Sequence, residues 1–453
     1  MMLHISLPSN WQPERIWITE VLLGQFLGLE HSLTFGRDHM VRLTASGKTL
    51  TVSDSFFANQ VKTTNLGQHW TLAASSLDIQ LCAESIPVLF GSPGFTIDTK
   101  GDALLSLDVF GSAFFMLTRY EEWKWKEHDR HGRFPAEASS AVRLGFLNRP
   151  IVDEYVEILW AAMRRLWPGL KRKEHVGRKL ISCDVDLPFD PACTSISRLC
   201  KRLAGRAYRE RSLGGLTSSV HNYWSVQRGN QSSDPYWQAL FWIMDVNEKA
   251  GNRVTFNFIP KPTDRDMDNA PSLDDWRMRH LLKVVHRRGH FVGIHPGYNT
   301  YCCPQLFASS VETLRRALDQ EGITQHELGG RQHYLRWDVT TTARLWAANE
   351  LSYDSTLSYP TTAGFRTGTC REYTMYDIIE RRPLSLQQRP LIVMENAVID
   401  EANMGLGRGE RALAAMQRYK EICSQFHGDF TLLWHNSSLT EEADRTMYSN
   451  LIQ

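Results

Sequence analysis

From about residue 176 onward, short apolar runs alternate with longer segments whose apolar residues recur at helical spacing. The runs at 179–183, 253–259, 290–294, 329–333, 391–398 and 430–434 predict strands. The segments 236–250, 274–288, 305–320, 340–349 and 408–424 predict helices. Such alternation implies a largely parallel α/β sheet or barrel.

The chain before residue 176 reads differently. Residues 1–100 carry strand-like segments broken by Gly and Pro, and Thr49 to Ser53 alternate apolar and polar with period two. A helix is predicted over about 105–123, where Leu107, Phe110, Phe114, Leu117 and Tyr120 share a face. A polar turn follows at His131–Pro135. A second amphipathic helix, about 151–167, lines up Val152, Tyr155, Leu159, Met163 and Leu166. Pro168 and Gly169 stop it, and the basic stretch Lys171–Lys179 reads as a linker. These signals divide the chain into a smaller α+β domain over 1–175 and an α/β domain over 176–453. Residues 195–235, basic and then rich in Ser, Gly and Asn, read as a mixed and partly mobile insertion. No internal repeat is visible.

Bulk properties narrow the function classes. A chain of 453 residues with 42% hydrophobic and 22% charged residues is of ordinary globular composition. A formal charge of +1 offers nothing that steers it to nucleic acid. The N-terminus lacks the basic and apolar segments of a secretory leader, and no apolar stretch reaches the ~18 residues of a membrane span. The 8 cysteines are scattered without Cys-x-x-Cys spacing, which argues against a thiolate zinc site. Reduced thiols and a cytoplasmic location are the expectation.

Four polar clusters fall at or near predicted strand ends, the edge where parallel α/β folds assemble sites. The first, Ile181 to Pro188, sets Asp184 and Asp186 two positions apart. One could bind a metal and the other take a substrate proton; helix-capping aspartates explain the segment equally well. The second, Gly289 to Asn299, ends an apolar strand at His295, and neutral imidazole is the commonest metal ligand. His290, at the start of that strand, reads as structural. The third, Gly329 to Trp337, offers two glycines for close backbone approach and Arg331 for holding a carboxylate. The fourth, Phe430 to Ser437, delivers His435 from a short apolar strand. Taken singly, these histidines and Arg331 are ordinary structural or surface residues. Together they supply what metal-assisted hydrolysis needs.

With these motifs in this order the sequence resembles the polysaccharide deacetylase superfamily, metal-dependent carbohydrate esterases with a deformed (β/α) barrel. More closely it resembles an uncharacterised bacterial branch with an Asp-Val-Asp motif. The order is the Asp pair, Gly-His-x-x-Gly-x-His, the Arg331 motif, Tyr353-Asp354-Ser355, and Leu433-Trp434-His435. The stretch Phe110 to Glu122 resembles the N-terminal accessory domain of that branch. The resemblance implies Asp184 as general base, Asp186 and His295 as metal ligands, Arg331 orienting the base and His435 as general acid. Asp354 would stand behind His435 or Arg331. The superfamily's second ligand histidine falls at Asn299 here. His333 offers an imidazole in its stead, and the Asn299 amide oxygen is the alternative. The branch often flanks its Asp-Val-Asp with His, where this chain has Cys183 and Leu187, which points to weaker metal binding. The two Asp roles are exchangeable, because the motif is one residue longer than usual.

The function implied is a cytoplasmic, zinc-dependent N-deacetylase acting on an N-acetylated saccharide in cell-surface polysaccharide synthesis. The rival readings are a metal-poor pseudoenzyme that binds a saccharide or protein partner, and a hydrolase of another non-peptide C–N bond.

Overall fold

The computed structural model describes residues 1–58, 68–71, 77, 79–209 and 213–453. The chain forms two compact units, neither contiguous in sequence. The first takes residues 1–178, 337–392 and 419–430; the second takes 179–336, 393–418 and 431–453. The chain thus leaves the first unit at Arg178 and returns to it twice. It is a mixed α/β protein with several sheets. No helix among the described residues is long and apolar enough to cross a membrane.

In the first unit six strands run in the order His31–Gly36, Leu3–Pro8, Val41–Ala45, Lys48–Val52, Ala103–Leu107 and Gly91–Ile97. Alternation explains them: Leu3, Ile5 and Leu7 are buried, and so are Leu50 and Val52, while their neighbours are more exposed. Parts of the predicted 1–100 strand region, residues 59–67, 72–76 and 78, lie outside the described residues. The helix expected over 105–123 is three elements. Residues through Leu107 pair in the sheet, Val109–Leu117 is helical, and Tyr120–Glu122 is a short 3-10 turn. Asp108 makes the break by capping the helix: its carboxylate accepts the Gly111 N–H at 2.8 Å, and also those of Ser55 and Phe56. Arg119, at φ 55°, ends it in the left-handed region. The helix Ile151–Leu166 agrees with its sequence pattern.

Buried charge ties this unit's segments together. Glu122 accepts Arg119 Nε at 2.8 Å, and the Arg366 guanidinium at 2.8–3.1 Å. Arg119 in turn donates to the Arg366 carbonyl, and Arg366 to the Ser358 carbonyl. Burial opposes the charge on Glu122, but the Arg366 and Arg119 charges outweigh it and hold its pKa below the usual value.

The second unit is built on the strand order Gly329–Gly330, Phe291–Ile294, Val254–Phe258, Lys179–Val185, Phe430–Leu433 and Val393–Met394. The first four pair in parallel, as do the last two. Helices Pro235–Lys249, Trp276–Arg287 and Pro304–Gln320 fall where the helical spacing places them. Three expectations change. The run 391–398 is strand only at Val393–Met394 and then helix at Glu395–Ile399, since a short apolar run does not distinguish the two. The strand 329–333 stops at Gly330. The 195–235 insertion is largely two helices, Ile196–Arg209 and Leu213–Gln227, the first with Ile196, Leu199 and Leu203 at helical spacing; residues 210–212 lie outside the described ones.

Register positions the site. Val185, Phe258, Ile294 and Gly330 stand side by side across four parallel strands, so Asp186, His295 and Arg331 emerge next to one another at their C-terminal ends. Met394 pairs with Leu433 in the same way, bringing Glu395 and the chain leading to His435 out together.

Because Glu122 is ion-paired with two buried guanidiniums, Glu122→Ala should lower the unfolding free energy of the first unit by about 3–5 kcal/mol. Arg178→Ala, which breaks pairs with Asp429 and Glu372 through an arginine that is 45% exposed, should cost less, about 1 kcal/mol. Urea denaturation of both variants followed by tryptophan fluorescence reads the contrast.

Candidate functional site

Asp184 lies near the end of its strand with its side chain buried. Its Oδ1 accepts the Arg331 guanidinium at 2.9 Å and the Asn257 amide at 2.7 Å. Register explains the second bond, since Asn257 is the direct neighbour of Asp184 on the adjacent strand. Gly293 makes room for it: a Cβ there would collide with the Asn257 side-chain oxygen. Arg331 also donates to Ser182 Oγ at 3.0 Å. Burial favours the neutral acid, but Arg331 and then His295 and His435 outweigh it, and the Asp184 pKa is lowered.

Asp186, two residues on, faces three imidazoles. His295 Nε2 is 3.2 Å from its Oδ1, and the Nε2 atoms of His333 and His435 are each 3.6 Å from its Oδ2. Every one of these rings is anchored through Nδ1. His295 Nδ1 meets the Arg331 carbonyl at 2.5 Å, so it is the donor there. His333 Nδ1 meets Asp268 Oδ1 at 2.7 Å, and His435 Nδ1 meets Glu395 Oε1 at 2.7 Å. Glu395 also accepts the His435 backbone N–H and the Ser438 hydroxyl. Anchoring at Nδ1 leaves each Nε2 aimed at Asp186.

The residues present fit a divalent cation. One ligand atom each from Asp186, His295 and His333 lie within 4.8 Å of one another. Asp186 Oδ1 is buried and has no hydrogen-bond partner among the described residues, although an imidazole nitrogen stands beside it. A lone-pair oxygen facing lone-pair nitrogens is the arrangement a cation resolves. Two imidazoles and a carboxylate suit zinc. Without the cation, the ionic neighbours polarise one another. His333 is pushed up to about 9: burial works against its charge, and Asp186 and Asp268 overcome it. His435 is pushed up to about 10, against its burial, first by Glu395 and then by Asp186 and Asp184.

The structure therefore brings together Asp184, Asp186, His295, Arg331, His333 and His435. Two other expected residues have side chains bonded to other groups. The Asn299 amide donates to the Thr263 carbonyl at 3.1 Å, and its oxygen faces Arg336 at 3.3 Å. Asp354 belongs to the first unit, where it accepts the Thr356 N–H at 2.9 Å and the Thr356 hydroxyl, the local bonding that Asp favours in a turn. The carboxylate behind His435 is Glu395, and the one on Arg331 is Asp184. At the positions flanking the Asp pair, Cys183 is buried and its pKa is raised well above the ordinary thiol value, chiefly by that burial. The Leu187 carbonyl accepts the Asn436 amide.

Sequence reading missed Asn257, Asp268 and Glu395. Glu395 sits inside an apolar run, and a polar interruption of that run was the available signal. Asp268 lies in a polar loop with Asp264, Asp266 and Asn269 as equals, so nothing local singles it out.

Residues 3–168 match a family of unknown function, DUF7033. Among curated proteins, no sequence matches this chain. Three solved structures overlap it in part. One described as a polysaccharide deacetylase, from Mycobacterium smegmatis, is 14% identical with a TM-score of 0.40, covering 63% of this chain and 84% of its own. A probable polysaccharide deacetylase from Pseudomonas aeruginosa PAO1 is 13% identical with a TM-score of 0.34, covering 49% and 69%. An allantoinase, Puue, is 12% identical with a TM-score of 0.34, covering 50% and 69%. Overlap of this extent leaves the chemistry to be read from the side chains.

The ligand set is open to direct measurement. His333→Ala should lower the zinc content of the purified protein, read as the metal-to-protein ratio by mass spectrometry. Unchanged stoichiometry would remove His333 from the set.

Proposed function

We propose that this chain is a metal-dependent hydrolase that removes N-acetyl groups from a saccharide, and that its second unit is a deformed (β/α) barrel of the polysaccharide deacetylase type. The observation that carries this reading is the convergence on Asp186. A three-residue ligand cluster, a buried carboxylate held by arginine, and a histidine backed by a glutamate all meet there. The order of motifs along the chain supports the saccharide, and the region before residue 176 is read as an accessory domain.

Asp186, His295 and His333 would hold the cation. When bound, it supplies Lewis acidity toward an amide carbonyl and toward water. The remaining steps belong to the protein. Asp184 Oδ1 is engaged by Arg331 and Asn257, which leaves Oδ2 to take a proton from the attacking water. Arg331 keeps that carboxylate ionised and fixed. His435 stands across Asp186 with its Nδ1 on Glu395, so the proton it delivers to the leaving amine is at Nε2. An amine needs that proton as the C–N bond breaks, and an imidazole that ligates metal cannot supply it. Arg331 beside Asp184 favours its ionised form, and Glu395 behind His435 favours the protonated ring. The scattered free thiols support a cytoplasmic enzyme.

The test is acetate release from N-acetylated saccharides by the zinc-loaded full chain. His435→Ala should retain zinc and lower turnover by about 10²–10⁴-fold, and Asp184→Asn should do the same. Asp186→Ala should lose zinc as well as activity. Loss of metal in His435→Ala would make it a ligand, and unchanged turnover would make it structural. A zinc-bearing protein that opens cyclic amides and releases no acetate would replace the substrate class.

A further inference from the structure

We propose that Asp268 is the positioning residue that makes His333 a metal ligand, delivering the third donor from the loop after Gly330 rather than from position 299. The proposal rests on the metal site described above and concerns how this chain builds it.

Asp268 comes from a loop after the strand Val254–Phe258, and its carboxylate is fully buried. Five donor contacts fix it independently of His333. Oδ2 accepts the Thr263 N–H at 2.6 Å, the Thr263 hydroxyl at 2.9 Å and the Asp264 N–H at 3.0 Å. The Tyr298 N–H approaches Oδ1 at 2.9 Å and Oδ2 at 3.1 Å. A carboxylate offers about four lone-pair sites, so little freedom is left. Gly297 is part of the fit: a Cβ there would lie 2.8 Å from Asp268 Oδ2 and 2.9 Å from Thr263 Oγ1. The carboxylate is thus clamped between its own loop and the one that follows His295, and His333 is aligned to it.

His333 needs that alignment. It opens a turn in which Tyr334 and Leu335 have φ of 60° and 53°, two consecutive non-glycine residues in the left-handed region. Such backbone persists only where its surroundings over-determine it. The Asp268 bond at Nδ1 fixes the tautomer and points Nε2 at Asp186. A carboxylate behind a ligand imidazole also strengthens its donor nitrogen. Position 299 is committed elsewhere at the same time. Its amide is held by Thr263 and Arg336, and the Arg336 guanidinium is itself stacked 4.0 Å from both the Tyr298 and Tyr301 rings. Thr263 therefore serves both arrangements, bonding Asp268 through its hydroxyl and Asn299 through its carbonyl.

The experiment is zinc titration of the full chain against a competing chelator. Asp268→Asn should bind zinc about 10–100-fold more weakly than the natural chain, and Asn299→Ala should bind it equally well. The decisive measurement is the double variant: Asp268→Asn/His333→Ala should bind no more weakly than His333→Ala alone, since Asp268 acts through His333. Additive losses would mean that Asp268 supports only the fold, and undiminished binding by Asp268→Asn would overturn the proposal directly. If the natural chain takes up no zinc, the site reading fails and this proposal with it. Should Asp268→Asn not fold, the imidazole ¹H–¹⁵N spectrum of the zinc-loaded natural chain carries the test. A His333 proton on Nδ1 is expected, and one on Nε2 refutes the assignment.

Discussion

Two carboxylates, Asp184 and Asp186, project two residues apart from the end of one strand, and the surrounding site is arranged to compensate them. Removing a carboxylate from water costs several kcal/mol even after the protein relaxes. Asp184 is compensated by groups the chain itself carries, the Arg331 guanidinium and the Asn257 amide. Asp186 is compensated only by ring nitrogens, and one of its oxygens is left without a hydrogen bond among the described residues. That difference is what the proposed division of roles rests on: fixed donors satisfy one oxygen of Asp184, whereas imidazole nitrogens surround Asp186.

The imidazoles are differentiated by what stands behind them. A neutral backbone carbonyl holds His295, while carboxylates hold His333 and His435. A carboxylate partner does opposite things in the two cases. Behind a ligand it sharpens the metal-binding nitrogen; behind a ring with no metal on it, it stabilises the imidazolium. The same short geometry, 2.7 Å at Nδ1, occurs on both rings, and only His333 belongs to the cluster formed with Asp186 and His295.

The first unit shows how buried charge is used where no chemistry is evident. Arg119, Glu122 and Arg366 are all removed from solvent and satisfy one another and nearby carbonyls. Removal of Glu122 takes the carboxylate from Arg366, while Arg119 keeps Glu121, and the network links segments distant in sequence. Residues 337–392 are joined to 1–178 partly on this account.

The sequence alone was enough to place most of the strands, though several of them end elsewhere than the pattern implies. The runs predicted at 179–183, 290–294 and 430–434 are short, mostly apolar and followed by Asp184, His295 and His435. In a parallel sheet that pattern places the residue at the edge, whatever the rest of the chain does. Asp184, Asp186, His295, Arg331 and His435 were therefore legible, and the helices that separate the strands were legible from their spacing. Tertiary structure decided the partners. Asn257 matters because register sets it beside Asp184, Glu395 because Met394 pairs with Leu433, and Asp268 because two loops close around its carboxylate. It also set the Asp354 carboxylate on the Thr356 N–H and turned the Asn299 amide toward Thr263. The physical reason is one of range: periodicity reports which way a side chain points from its own strand, whereas a hydrogen-bond partner is chosen by whatever the fold brings within about 3 Å.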